Sequence, residues 1–288
     1  MDDGFDIGLV LSERSNPGES KGRVLSERSN PGESKGGRIT RRRFGVLAGG
    51  ALASFAFGDA CNRGSLSQEA NDGRLAARPR NGVTTAAPGA RALGLGGARD
   101  GILQLPKAAG APLPLLVLLH GAGGRGEGVL RRLGSAADDA GVAVVAPDSR
   151  DSSWDAIRGG FGADVTFLNR ALERVFETVA IDPARTAVGG FSDGATYALS
   201  LGLINGDLFR RVVAFSPGFV VDGTPHGRPR FFVSHGTSDP ILPIDRCSRV
   251  IVPGLRKRGY DVTFREFDGG HEVPGGIARE GLEWVAAK

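Results

Sequence analysis

The chain has 288 residues, 40% hydrophobic and 24% charged, the balance of an ordinary globular protein that can build its own core. Lys+Arg of 36 against Asp+Glu of 32 leaves a formal charge of only +4, concentrated in Arg38–Arg43, and no basic patch interleaved with aromatics points to nucleic acid. The cysteines, Cys61 and Cys247, make no disulfide framework, and no His/Cys cluster has metal-ligand spacing, so neither a metal nor an organic cofactor is implied.

In residues 1–37, Val10–Gly22 recurs as Val24–Gly36. The repeat is Ser, Glu, Gly, Pro and Lys, too poor in apolar surface to offset its ordering entropy, and reads as disordered. Two further readings are a short binding repeat and upstream sequence translated from an early start. A later start would need a codon other than ATG, since Met1 is the only methionine. Residues 38–61 carry Arg41-Arg42-Arg43-Phe44, the apolar run Gly45–Phe57 and small residues before Cys61. That order is expected of an export signal of the twin-arginine kind. The apolar run is too short for a permanent span. Cys61 resembles a bacterial lipoprotein cleavage site, although Asp59 departs from the usual residue there. The expectation is an exported, extracytoplasmic protein, periplasmic or membrane-anchored through Cys61. The plainer reading is a solvated charge run before a buried helix, which would leave the chain cytoplasmic. Residues 62–98, rich in Gly, Ala, Arg and Pro without periodicity, read as a flexible linker.

From residue 99 to 288 strand-length apolar runs alternate with segments of helical period. The strands expected are Ile102–Leu105, Leu115–Leu119, Val142–Ala146, Thr186–Val188, Arg211–Phe215, Phe231–Ser234 and Val262–Phe267. Between them helices are expected over Val129–Ala140, Asp164–Val179, Asp193–Asn205, Ile244–Lys257 and Gly275–Ala287. Such alternation predicts an α/β domain, a mostly parallel sheet with helices on both faces. Leu115–Leu119 and Val142–Ala146 are apolar at every position, as strands buried on two faces should be.

Gly190-Phe191-Ser192-Asp193-Gly194 fits G-x-S-x-G, between a predicted strand and a predicted helix. A tight turn there lifts the Ser192 hydroxyl clear of the sheet, near a helix N-terminus that favours negative charge. In a chain with 46 glycines the pentapeptide alone could be an N-capping serine in a Gly-rich turn. A nucleophilic serine needs a base and an orienting acid. Of the histidines that follow, His271 lies in a Gly269-Gly270-His271 loop after the last strand, His226 sits in a solvated loop, and His235 ends a strand as a packing residue. Asp239, in the loop after that strand, is the acid in the right order; Asp245 and Asp268 compete. The backbone amides of Asp193 and Ala122, the latter in His120-Gly121-Ala122-Gly123-Gly124, are candidate oxyanion donors. No Lys-Ser/Thr follows that Gly loop, so a P-loop fails.

Together, His120–Gly124, Gly190–Gly194, Gly236-Thr237-Ser238-Asp239-Pro240 and Gly269-Gly270-His271 resemble the phospholipase/carboxylesterase family of small α/β-hydrolases. That family includes acyl-protein-thioesterase-like and polyhydroxybutyrate-depolymerase-like serine esterases. The resemblance implies an α/β-hydrolase fold with little or no lid, and an esterase acting on small or medium acyl esters through an acyl-enzyme. Ser192 would be its nucleophile, Asp239 its acid and His271 its base. It also implies a pocket-lining aromatic at Trp154 and a structural carboxylate at Asp164. Asp193 stands where acyl-protein thioesterases carry Gln, which argues against a protein-thioesterase role. The partner expected is a small-molecule ester, with a membrane engaged only through Cys61. Two other classes fit the Ser, Asp, His order less well: a prolyl-type peptidase, for which residues 62–97 offer too little chain for a gating domain, and a non-catalytic lipid-anchored binding protein.

Overall fold

The computed structural model describes residues 72–107 and 110–288. The tandem repeat, the export signal and Cys61 lie outside them. Eight strands form one sheet: β1 (Gly89–Ala92), β2 (Gly101–Leu105), β3 (Leu113–Leu119), β4 (Ala143–Pro147), β5 (Ile181–Phe191), β6 (Arg211–Phe215), β7 (Arg230–Gly236) and β8 (Val262–Phe267). Their order is β1-β2-β4-β3-β5-β6-β7-β8. β1 and β2 pair antiparallel at one edge, and every pairing from β4 to β8 is parallel.

Alternation along the strands fills two core layers. Leu115, Val117 and Leu119 of β3 join Val212 and Ala214 of β6 on the face covered by α3 (Ala163–Thr178), α4 (Asp193–Ile204) and α5 (Ser248–Lys257). Leu116, Leu118, Val213 and Phe215 point the other way, against α1 (Gly126–Arg132), α2 (Ala136–Asp139) and α6 (Gly275–Ala286). Each fully buried Leu or Val contributes roughly 1.5–3 kcal/mol relative to exposure, so the doubly buried centre of the sheet dominates the stabilisation. Helix α4 is buried from Gly194 to Ile204, which makes it the central helix of its layer.

The structure departs from the sequence reading in four places. The single helix expected over Val129–Ala140 is two, because Gly134 adopts φ +55° and its amide caps the Arg131 carbonyl at 3.2 Å. The helix expected from Ile244 begins as a 3-10 turn, Ile244–Arg246, and α5 starts only after Cys247. β5 runs far beyond Thr186–Val188; its polar first half pairs only through Ile181 with Leu113. Finally, residues 72–98 are packed rather than free. The buried Asn205 accepts the Leu75 amide at 2.9 Å and donates to the Gly73 carbonyl at 2.8 Å. Asn169 accepts the amides of Ala76 and Ala77, both at 2.8 Å. Asp207 holds Arg74 and Arg78 at 2.8 and 2.6 Å, and β1 closes the sheet edge. The side chains that hold residues 74–78 to the domain lie about 90 or more residues away, so no local pattern announces that packing.

Candidate active site

The C-terminal ends of β3, β5 and β7 and the loop after β8 converge on one cavity of about 610 Å³, lined among others by Ala122, Phe191, Ser192 and His271. Ser192 follows β5 with φ +57° and ψ −122°, a conformation non-glycine residues rarely hold and which costs on the order of 1–3 kcal/mol. It persists because the surroundings over-determine it. The Ser192 amide donates to the Phe215 carbonyl at 3.0 Å, and two glycines let the backbones close in. A Cβ on Gly190 would lie 2.4 Å from the Gly194 carbonyl carbon, and one on Gly194 only 2.1 Å from the Leu119 oxygen. The elbow is thereby pressed against the end of β3, whose loop runs past the serine: a Cβ on Gly121 would sit 3.2 Å from Ser192 Cβ.

In that loop the Gly123 amide donates to Ser152 O (2.6 Å) and the Gly124 amide to Gly121 O (3.0 Å). The Ala122 amide and the Asp193 amide, first of α4, have no acceptor among the described residues. His120, 1% exposed, holds the loop from behind. Its Nδ1 contacts Gly121 O at 2.8 Å and its Nε2 the Ser149 amide at 3.0 Å. A carbonyl only accepts and an amide only donates, so Nδ1 carries the proton and the ring is neutral. Burial lowers its pKa, in keeping with that state.

Trp154 is not a pocket-lining residue. Its side chain is 0% exposed, donates from Nε1 to the His120 carbonyl at 2.8 Å and packs on the His120 ring at a centroid distance of 4.9 Å. It braces the loop rather than meeting solvent. Asp164 accepts the amides of Arg150 and Asp155 at 2.5 and 2.7 Å, tying the loop after β4 to the start of α3. Burial pushes its pKa up to about 6 despite those bonds. The same loop brings Ser153 Oγ to Asp193 Oδ2 at 2.5 Å, a link between β4 and the residue after the elbow that sequence reasoning missed.

Asp239 and His271 meet on two other loops. His271 Nδ1 and Asp239 Oδ2 are 2.6 Å apart, and Asp239 Oδ1 accepts the amides of Ile241 and Leu242, each at 2.9 Å. Burial pushes the Asp239 pKa up, but the Leu242 amide and His271 outweigh it and hold the carboxylate below its ordinary value. With Nδ1 facing the acid, Nε2 of His271 is the nitrogen left for chemistry. The Phe191 ring lies 4.7 Å from the imidazole and limits its rotation. His235 turns out to be part of the arrangement. Its Nε2 lies 2.7 Å from Leu242 O and 3.2 Å from Asp239 Oδ2, and its Nδ1 2.7 Å from Ser248 Oγ. Since Leu242 O can only accept, Nε2 is the donor, and the buried ring, its pKa lowered by desolvation, presents an N–H to Asp239.

The competing residues lie elsewhere. Asp245 pairs with Arg249 at 2.8 Å, and His226 is exposed with Nδ1 2.9 Å from Thr224 O. Cys247 is buried, its thiol pushed up to about 11 by desolvation, and is no nucleophile. Among the described residues no group of three or more His, Cys, Asp and Glu could hold a metal ion, and no helix is long and apolar enough to cross a membrane.

A mostly parallel sheet with a strained serine just past the end of β5, and an acid and a histidine in the loops after β7 and β8, defines an α/β-hydrolase. Residues 160–277 match the family model described as Phospholipase/Carboxylesterase. The chain is 29% identical over 211 residues to a probable feruloyl esterase C of Aspergillus oryzae, covering 61% of this chain and 77% of that one. It is 31% identical over 146 residues to NocK of Nocardia uniformis subsp. tsuyamanensis, named as an esterase, covering 47% of this chain but only 42% of NocK. Esterase PE8, at 25% identity, superposes with a TM-score of 0.53 over 65% of this chain and 97% of its own. The chain is similar in sequence and fold to small α/β-hydrolases of the esterase kind.

Proposed function

We propose that the chain hydrolyses small or medium carboxylic esters through a covalent acyl-enzyme on Ser192. One observation carries the reading: a 2.6 Å Asp239–His271 pair whose histidine lines the same cavity as a serine held at φ +57°. In this scheme His271 Nε2 takes the Ser192 proton as Oγ attacks the ester carbonyl. The oxyanion forms against the amides of Ala122 and Asp193. His271 returns the proton to the departing alcohol, and water then releases the acid by the same steps in reverse. Asp239 keeps Nδ1 protonated and offsets the imidazolium charge. Aromatic acyl esters belong in the first substrate panel, because relatives carry the feruloyl esterase name.

The test is labelling of the folded protein with a fluorophosphonate, with the adduct located by peptide mass spectrometry. Modification at Ser192, lost in His271→Ala, is expected. The kcat of Ser192→Ala on a p-nitrophenyl ester should fall by on the order of 10⁴–10⁶-fold. Parent-rate hydrolysis by Ser192→Ala would overturn the scheme, and a folded protein that takes no label and cleaves no ester would favour a binding role. Export through Arg41-Arg42 and lipidation at Cys61 belong to the same proposal. They are supported by the order of basic, apolar and small residues in 38–61. Fractionation of cells expressing Arg41→Lys/Arg42→Lys should move the protein to the cytoplasm. Cys61→Ala should release it from membranes.

A further inference from the structure

The cavity beside Ser192 has a one-sided charge. Helix α1 and the residue before it supply Arg125, Arg131 and Arg132 to its lining, and no carboxylate lines it. Two of the three are balanced outside the cavity: Arg125 reaches Asp148 at 2.9 Å, and Arg131 reaches Glu127 at 2.6 Å. Arg132 is exposed and has no carboxylate partner among the described residues. Its guanidinium instead lies 4.7 Å from the centroid of the Phe191 ring, the residue preceding the nucleophile. That ring in turn packs on His271. Stacking on one face leaves the N–H edge of the guanidinium free to donate, a planar fork that matches a carboxylate or phosphate. An uncompensated cation in a concave wall also concentrates anions near the serine.

We propose that Arg132, with Arg131 beside it, forms a subsite for an anionic group on the substrate, so that the preferred ester carries a carboxylate away from the scissile bond. This rests on the esterase reading above and narrows it to a substrate class. An ester with a remote carboxylate reaches the subsite while its neutral carbonyl meets Ser192. The rest of the lining, Val129, Phe191 and the exposed Ile241, provides the apolar wall for the chain between the two groups.

The experiment uses matched ester pairs on the whole protein: p-nitrophenyl acetate against mono-p-nitrophenyl glutarate, with charge on the acyl side, and phenyl acetate against 4-acetoxybenzoate, with charge on the alcohol side. The readout is the ratio of kcat/KM within a pair, corrected for each ester's spontaneous hydrolysis. One anionic member should be favoured by about fivefold at low ionic strength, a ratio that shrinks toward one in 0.5 M salt, as expected of an exposed charge pair. Arg132→Gln should collapse that ratio, whereas Arg132→Lys should keep most of it. Because the ratio is internal to each variant, a general loss of activity from a disturbed Phe191 does not imitate the effect. A ratio at or below one in both pairs overturns the proposal, as does a preference that survives Arg132→Gln. Hydrolysis of neutral esters alone separates that failure from the failure of the esterase reading, in which no member of either pair is cleaved.

Discussion

Replacing Gly194 by alanine should separate stability from activity. The added methyl would stand 2.1 Å from Leu119 O, 2.5 Å from the Leu119 carbonyl carbon and 2.6 Å from His120 O, all backbone atoms that cannot rotate away. Carbon atoms pack at about 3.5–4.0 Å, so the start of α4 and the end of β3 must part by roughly 1 Å or more. Overpacking of this kind costs about 1–3 kcal/mol, and the better helix propensity of alanine returns up to about 1 kcal/mol of it. At roughly 2–4 °C per kcal/mol for a domain of this size, Tm should fall by only a few degrees. The same shift moves Ser192 away from the Ala122 amide and His271, and a misplacement of about 1 Å can cost on the order of 10²-fold in rate. Circular dichroism melting beside kcat/KM on p-nitrophenyl butyrate reads both quantities. A variant that keeps the parent kcat/KM would refute the argument that backbone contact at the elbow sets the catalytic geometry.

Three other expectations follow from buried polar groups. Asp164 titrates near pH 6 in the folded state against about 3.9 unfolded, so the folded form binds the extra proton between those values. Its contribution to stability should therefore grow as pH falls from 6 to 4, and a parent-minus-Asp164→Asn difference that stays flat over that window would contradict this. Asn205→Ala leaves the buried Leu75 amide without its acceptor and should lower urea stability by about 1–3 kcal/mol while exposing residues 72–78 to protease; an unchanged urea midpoint would rule this out. His235→Phe removes one donor from Asp239. It should reduce kcat roughly tenfold with little change in KM, from about 1.4 kcal/mol of lost orientation of Asp239. A drop in melting temperature with an unchanged kcat would assign His235 a packing role only.

The centre of the fold was legible because the physics there is local. Leu115–Leu119 is apolar at every position because both faces of β3 are covered. The glycines around Ser192 were readable for the same reason, since the turn itself excludes a Cβ. What escaped was held by distant partners. β1 is Gly-Ala-Arg-Ala, with no strand signature of its own, and exists because β2 offers it an edge. The packing of residues 72–78 depends on Asn169, Asn205 and Asp207, residues unremarkable in sequence. Trp154 was placed on the pocket by analogy, whereas its indole N–H found the His120 carbonyl and drew the ring under the loop.

The anchoring of residues 73–78 also sets a length scale. Among the described residues, Arg74 is the first whose side chain is fixed to a distant part of the domain, through Asp207 and the Ile204 carbonyl. Between Cys61 and Gly73 lie residues 62–72, and a chain of that size can extend at most about 40 Å. Were a lipid attached at Cys61, the Ser192 cavity could stand no farther from the membrane than that length and the depth of the domain allow. Esters held in the envelope would fall within its range, and those free in the medium would have to come to it.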